Sequence, residues 1–358
     1  MDRRVRAARA VAESSEAGTL CIGVDGGATG FRVGCVVPDA DGGLQIRGDL
    51  QRGLWPTDAN FVPLTIGEQR AQLGCLRRIP GERELEKAWV QGLAGVIREL
   101  SGQQVFGALQ LGIALPGQKD ERGRGVLVMA HGPRLPEFSS ALEKELDLGD
   151  KLHLCALGSD GQDAGGGEEW GQEGAFWGQP SALYLGLGTG LAEAVKLDGE
   201  LLAAQILAGY SAPPWEAQLS GVACAEQGTI EQAVSLGAIQ GRLEAARGPG
   251  LRPLDAARMG EPRALELLTA SAEILGAWVE QRMTILNAAA RHPITRLVIG
   301  GSGAELLRAP QFEFYRVALQ AALPPLELLP SALQTSALFG AAARARGLTG
   351  SRPAKAPS

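Results

Sequence analysis

Leu20-Cys-Ile-Gly-Val-Asp-Gly-Gly-Ala-Thr-Gly-Phe-Arg-Val-Gly-Cys-Val-Val37 decides the fold. An apolar run ends in an acid, a glycine-rich turn with one hydroxyl comes next, and a second apolar run starts at once. That order predicts two antiparallel strands joined by a tight loop, because glycine permits positive φ and leaves backbone N–H groups uncovered. Such a loop can cradle phosphate oxygens through Gly26, Gly27 and Thr29, with Asp25 at its mouth holding Mg²⁺ directly or through water. It is not a Walker loop, which needs Gly-Lys-Ser/Thr leading into a helix. It is not a dinucleotide fingerprint either, since the glycines open a strand rather than a helix. Taken alone, the stretch also reads as an ordinary hairpin with an Asp-Gly turn.

The device recurs. In Ala182-Leu-Tyr-Leu-Gly-Leu-Gly-Thr-Gly-Leu-Ala-Glu-Ala-Val-Lys-Leu197 an apolar run again meets a turn, Gly188-Thr189-Gly190, and resumes as a strand. Asp41-Gly42 and Asp198-Gly199 come after the two hairpins, each leading to a short third apolar segment. Two copies of one β-meander predict duplicated lobes facing each other. A third cluster, Gly300-Gly301-Ser302-Gly303, succeeds a buried-looking strand and precedes a helix, so backbone there can approach a flat ligand such as a nucleoside. The three clusters in this order point to ATP held in a cleft between two lobes.

Composition excludes several classes. A chain of 358 residues, 45% hydrophobic and 21% charged, suffices for two cored lobes. Net charge is −6 without a Lys/Arg stripe, which argues against nucleic acid as a partner. The basic start lacks the apolar core of a signal peptide and no run approaches a membrane span, so the expected setting is the reduced cytoplasm. Cys21, Cys35, Cys75, Cys155 and Cys224 show no C-x-x-C spacing and most read as buried thiols, with Cys21 and Cys35 as candidate neighbours across the first hairpin. His131, His153 and His292 show no ligand spacing either, and His131 reads as a loop residue; zinc is not expected.

Helical periodicity places helices over residues 82–100, 138–146, 230–246 behind Thr229, and about 262–290. Trp89 and Trp278 fall within such patterns and read as packing residues. Strands alternating with helices, with a meander opening each half, predict an α/β architecture with two central sheets.

With these residues in view the chain resembles a known group: the ROK family of bacterial sugar kinases and sugar-responsive repressors, within the actin-like ATPase superfamily and its ribonuclease H-like fold. The likeness runs from about Thr19 to about Gly347. Leu111-Gly-Ile-Ala-Leu-Pro-Gly117, then Arg124-Gly-Val-Leu-Val128 and Gly132-Pro-Arg-Leu-Pro136, resemble the family's G-I-x-x-P-G run and the loop after it, and Leu338-Phe-Gly-Ala-Ala342 resembles its C-terminal helix. The resemblance implies a flexible tail over 1–18, an N-terminal lobe over 19–155 and a C-terminal lobe over 156–330. A helix over 331–347 would return to the first lobe, ahead of a loose tail over 348–358.

A kinase needs a base for the incoming hydroxyl. Asp160 stands just beyond an apolar strand in Leu154-Cys-Ala-Leu-Gly-Ser-Asp-Gly-Gln-Asp163, where the family's N-D-A-N-A-A-A-x-G-E segment carries its general base. The resemblance assigns Asp160 that role, Thr29 and Thr189 hydroxyl contacts to phosphate, and Asp25 the magnesium. The bland alternative is that Asp160 is a helix N-cap. Asp163 reads as a first-turn partner of the helix dipole.

The chain also departs from the family. Ser159 and Gln162 stand where the family has asparagines that bond the sugar. The zinc motif C-x-C-G-x-x-G-C-x-E is absent, and the E-x-G-H segment before it reads Leu207-Ala-Gly-Tyr210. Trp215-Glu-Ala-Gln-Leu-Ser-Gly221 resembles the tail of that motif, C-x-E-A-x-x-S-G, with the glutamate displaced by one or a residue deleted. Glu216 is therefore a candidate sugar contact and Tyr210 a replacement for the histidine. The expected function is an ATP-dependent kinase acting on a hydroxyl of a hexose or N-acetylhexosamine. The alternatives are a non-catalytic sugar or nucleotide sensor of the same fold, or another branch of the superfamily such as an N-acetylglucosamine kinase. Dimers are common in the family, so a homodimer is an expected state.

Overall fold

In the computed structural model, which describes residues 18–130, 132–218, 228–248, 250 and 252–353, the opening stretch folds as the hairpin β1 (Thr19–Gly26) and β2 (Gly30–Pro38). The chain continues through β3 (Leu44–Leu54), α1 (Ile66–Ala71), α2 (Glu82–Gly102), β4 (Ala108–Leu115), β5 (Gln118–Lys119) and β6 (Val126–Val128). α3 (Phe138–Leu146), β7 (Leu152–Leu154), β8 (Gly158–Ser159) and α4 (Asp160–Trp170) complete this run. Next come β9 (Ala182–Leu187), β10 (Leu191–Leu197), β11 (Glu200–Leu201), α5 (Ala204–Tyr210), α6 (Ile230–Val234), α7 (Leu236–Arg247) and α8 (Pro253–Arg258). The last elements are α9 (Pro262–Ala289), β12 (Arg296–Gly300), α10 (Gly303–Arg308), α11 (Glu313–Ala322), β13 (Glu327–Pro330) and α12 (Ser336–Ala345).

The chain divides into two compact units, one of residues 1–172 and 337–349, the other of residues 173–336 and 350–358. Each is built on one sheet with the same strand plan. In the first the order is β3-β2-β1-β4-β7, with β8 also on β4; in the second it is β11-β10-β9-β12-β13. In both, a hairpin supplies antiparallel pairs and a later strand joins parallel to its first strand. The repeated glycine-threonine pattern in sequence is thus a repeat of topology.

Period-2 burial aims Ile22, Val24, Leu111 and Ile113 at the first core, where α2 adds Leu85, Trp89, Leu93 and Ile97 at helical spacing. On the opposite face Gly23 and Gly112, partners in register, leave a flat window in the sheet. A Cβ at Gly23 would strike the carbonyl oxygen of Leu338, and one at Gly112 that of Ala341, so both glycines let the backbone of α12 lie directly on the sheet. In the second unit the 28-residue α9 buries Leu268, Leu275, Trp278 and Val279 in one core with Leu183, Leu185 and Leu297. Trp89 and Trp278 are both core residues. A buried ion pair, Arg282 Nε to Glu193 Oε1 at 2.7 Å, ties α9 to β10, and the same guanidinium bonds the Ser211 hydroxyl.

Several boundaries differ from expectation. The division falls after residue 172 rather than 155, because β8 pairs with β4 and α4 starts directly from it. Residues 331–336 stay with the second unit, where the Ser331 and Ser336 hydroxyls lie 3.1 Å apart, and only 337–349 return to the first. The helix expected over 230–246 is two, since Ser235 ends α6 and turns its hydroxyl to the N–H of Ala238 to cap α7. The tail is packed as far as residue 353: Arg352, 3% exposed, stacks 3.7 Å over the Trp177 ring, whose Nε1 donates to the Pro353 carbonyl at 2.9 Å. Cys35 lies opposite Ile22 rather than Cys21; both thiols are free and buried, Cys155 is partly buried, and Cys75 is exposed. Cys224, His131, residues 1–17 and the end of the chain lie outside the described residues. Among the described residues no helix is long and apolar enough to cross a membrane.

Candidate active site

The first glycine loop closes on itself, Gly27 N–H donating to the Gly30 carbonyl at 2.8 Å, which leaves Thr29 exposed at the tip. At its mouth the Asp25 side chain, 15% exposed, accepts a hydrogen bond from Arg32 Nη1 at 3.1 Å across the hairpin. Trp55, just past β3, braces the loop from behind. Its backbone N–H donates to the Thr29 carbonyl at 3.1 Å and its indole Nε1 to the Gly27 carbonyl at 2.8 Å. The ring stacks on Trp89 with centroids 4.4 Å apart, and Trp89 Nε1 donates to the Pro56 carbonyl at 2.9 Å.

The end of β8 presents Asp160. Ser159, not Asp160, is the N-cap of α4: its hydroxyl accepts the N–H of Gln162 at 3.0 Å. Asp160 therefore occupies the first helical position, with Oδ1 accepting the N–H of Gly161 at 3.0 Å. Burial pushes its carboxyl above the usual carboxylate range; Lys119 pulls it back, and the negative charge of Asp25 pushes it the same way as burial. Asp25 and Asp160 thus lie within electrostatic reach on one unit. Gln162 is partly buried.

Asp163 lies in the first turn of α4, as expected, and takes a partner that the local sequence did not indicate. It is buried and held by one edge of the Arg344 guanidinium, Nε to Oδ1 at 3.1 Å and Nη2 to Oδ2 at 2.7 Å, while the same arginine donates to the carbonyls of Ile113 and Ala156. This clamp fastens α12 to α4 and the ends of the central strands. Burial pushes the Asp163 carboxyl up and Arg344 counters it.

In the second unit the loop from Gly188 to Gly190 closes in the same way, Gly188 N–H to the Gly190 carbonyl at 3.0 Å, with Thr189 exposed. No acid flanks it in sequence; instead Glu231 of α6 accepts the N–H of Leu191 at 2.9 Å, and Gly237 N–H donates to the Gly188 carbonyl at 3.3 Å. Gly300 and Gly303 are buried, Gly301 takes φ +63°, and Ser302 is exposed ahead of the six-residue α10. The Tyr184 hydroxyl fills the space above Gly300. Tyr210 ends α5, partly buried against the second core, and Glu216 lies exposed in a turn whose N–H groups reach the Pro213 carbonyl. Leu219 to Gly221, the end of the stretch that suggested Glu216, lie outside the described residues.

Sequence reasoning passed over Lys119, Arg344, Trp55 and Glu231. Lys119 stands two residues beyond Gly117, the end of the G-I-x-x-P-G run, and a lysine between that glycine and a valine-rich strand was the available signal. The other three act on partners 26 to 231 residues away, which no local pattern reveals.

No protein-family model matches this chain, and no curated protein sequence does. Solved structures do. A ROK family glucokinase from Streptomyces griseus, in complex with glucose and AMPPNP, is 22% identical over 92% of this chain and 99% of its own, with a TM-score of 0.59. An inorganic polyphosphate/ATP-glucomannokinase from Arthrobacter sp. strain KM is 18% identical over 92% and 99%, with a TM-score of 0.59. A ROK family transcriptional regulator, a homolog of the E. coli MLC protein, is 16% identical over 92% of this chain and 78% of its own, with a TM-score of 0.58. The fold is that of the ROK sugar kinases and regulators.

Proposed function

We propose that this protein is an ATP-dependent sugar kinase that transfers the γ-phosphoryl group to a hydroxyl of a hexose or N-acetylhexosamine. The observation that carries this reading is the placing of two acids at neighbouring strand ends: Asp25, at the mouth of the first glycine loop, pairs in register with Ala114, which pairs with Gly158, two residues before Asp160 at the first turn of α4. Asp160 accepts the proton of the sugar hydroxyl as its oxygen attacks the γ-phosphorus in line. Gly26, Gly27 and Thr29 in the first loop, and Gly188, Thr189 and Gly190 in the second, face the phosphates. The Gly27 and Gly188 N–H groups close their own loops, so the exposed Thr29 and Thr189 hydroxyls are the contacts offered, while residues 300–303 lie against the nucleoside.

The residues fit a magnesium nucleotide. The first loop is closed by the Gly27 N–H on the Gly30 carbonyl, which leaves the Thr29 hydroxyl exposed at its tip as a donor for an anion. Asp25 supplies the single hard carboxylate oxygen that Mg²⁺ takes beside phosphate and water. When bound, the ion neutralises charge on the transferring group. Ser159 keeps its own hydroxyl proton while capping α4 and so can still donate to a sugar; Gln162, Tyr210 and Glu216 complete the proposed acceptor contacts.

The support is threefold: the acid pair, the two closed glycine loops, and a fold shared with a glucokinase solved with glucose and AMPPNP. Leu207 and Tyr210, standing where the resembled family carries Glu and His, favour a sugar sensor as the second reading. A coupled ADP-release assay with Mg²⁺-ATP across hexoses, N-acetylhexosamines and polyols separates the two. Sugar-dependent turnover with one clear preference is expected. No turnover, alongside sugar or ATP binding by calorimetry, would give the sensor reading the stronger claim.

A further inference from the structure

Lys119 is an ammonium where the fold has no packing need for one. It is the second residue of the two-residue strand β5, paired with Val126 of β6. Its side chain turns back along the chain, Nζ donating to the carbonyl of Leu115 at the end of β4 and to that of Gly117 at 2.8 Å. Leu115 pairs in register with Ser159, the residue before Asp160. The ammonium is therefore tied to the strand end beside the one that carries Asp160. Two of its three N–H donors are used on these carbonyls.

Charge neighbours converge on the same spot. Asp160 and Asp163 of α4 attract the ammonium and Arg344 of α12 opposes it; Asp25, itself bonded to Arg32, acts on Asp160 from β1. Burial lowers the Lys119 ammonium to about 8, so it carries its proton through neutral pH. For Asp160, Lys119 is the foremost influence opposing burial. Asp163 is paired with Arg344 and Asp25 with Arg32, whereas Asp160 accepts a hydrogen bond from the Gly161 N–H.

The geometry points to Lys119 as a positioning residue for the proposed transfer: pinned by two strand-end carbonyls, its charge keeps Asp160 ionised and ready to accept a hydroxyl proton. This rests on the kinase reading above but can fail separately from it. An uncharged side chain of similar length leaves the burial of Asp160 unopposed, so its carboxyl becomes harder to ionise.

The test compares the full-length wild type with Lys119→Met, Lys119→Gln and Lys119→Arg. One readout is the titration of the Asp160 carboxyl followed by ¹³C NMR of aspartate-labelled protein, with Asp160→Asn used to assign the signal. Lys119→Met and Lys119→Gln are expected to move that titration up by about one pH unit, and Lys119→Arg to restore it. The acid limb of kcat should move by the same amount, a loss of about tenfold at a fixed pH on that limb, with the KM for ATP unchanged. An Asp160 titration that stays put in folded Lys119→Met or Lys119→Gln overturns the proposal whatever the turnover. A titration that moves in a protein that turns over no sugar upholds the pairing and tells against the kinase reading instead.

Discussion

The two glycine loops begin from nearly the same sequence and are held by different means. Asp25-Gly-Gly-Ala-Thr-Gly30 brings its own acid, sits in front of the Trp55–Trp89 stack, and shares a unit with Asp160 and Lys119. Leu187-Gly-Thr-Gly-Leu191 brings none, and takes a carboxylate from Glu231, 40 residues further on, with Gly237 closing against it from α7. Both loops are closed by a glycine N–H on a carbonyl of the same loop, with a threonine exposed at the tip. In the first an aromatic ring braces the loop, and the local acid is bonded instead to Arg32 across the hairpin. In the second the acid is itself a brace, bonded to a loop N–H. The same supersecondary unit thus occurs once with an acid at the mouth of its loop and once with an acid from a later helix bonded to it.

This division predicts unequal effects. Asp160→Asn should lower kcat by about a thousandfold, the scale of a lost general base, with ATP binding by calorimetry unchanged. A residual rate near wild type would remove Asp160 from that role. Asp25→Asn should lower kcat/KM by about a hundredfold at millimolar Mg²⁺, partly recovered as Mg²⁺ is raised, because the carboxylate proposed to hold the ion is gone. Kinetics independent of Mg²⁺ in both proteins would contradict it. Burial raises the Asp160 carboxyl, and only the ionised form accepts a proton, so kcat/KM should fall as pH drops through a limb above the usual carboxylate range. A limb at or below an ordinary aspartate value would show that the base is not in this setting.

The smallest effects should separate the two braces. Glu231→Ala leaves the Leu191 N–H without that partner, a cost of about 1–2 kcal/mol that should appear as a lower Tm and a raised KM for ATP. Trp55→Phe keeps a ring on Trp89 but loses the bond to the Gly27 carbonyl, about 1 kcal/mol, and should raise the KM for ATP about fivefold with kcat nearly unchanged. Equal loss of kcat in both variants would erase the distinction between the loops.

Legibility tracked the range of the interaction. The hairpins, α2, α3 and α9 were readable because their apolar residues repeat at the period of the element that buries them. The break at Ser235 was missed because a serine inside a helical pattern can either face out or cap the next helix, and the choice depends on what α6 and α7 pack against. Asp163 shows the limit most plainly. Its position in a first turn suggests a dipole role, whereas its partner is Arg344, 181 residues away. Ser159 and Asp160 were candidates from the resemblance, but the backbone of β8 settles which of the two caps α4.

The sequence by itself determined the α/β class, the doubled meander, the two loops and the acids at the first of them, because these depend on residue spacing and on glycine's freedom near the chain neighbours. Tertiary structure alone decided which charges meet: Lys119 at the strand end beside Asp160, Arg344 on Asp163, Glu231 on the second loop, and a flat glycine window under α12. Electrostatic and packing partners are set by distance in space, and the segments that supply them are joined only when the sheets and helices close around their cores.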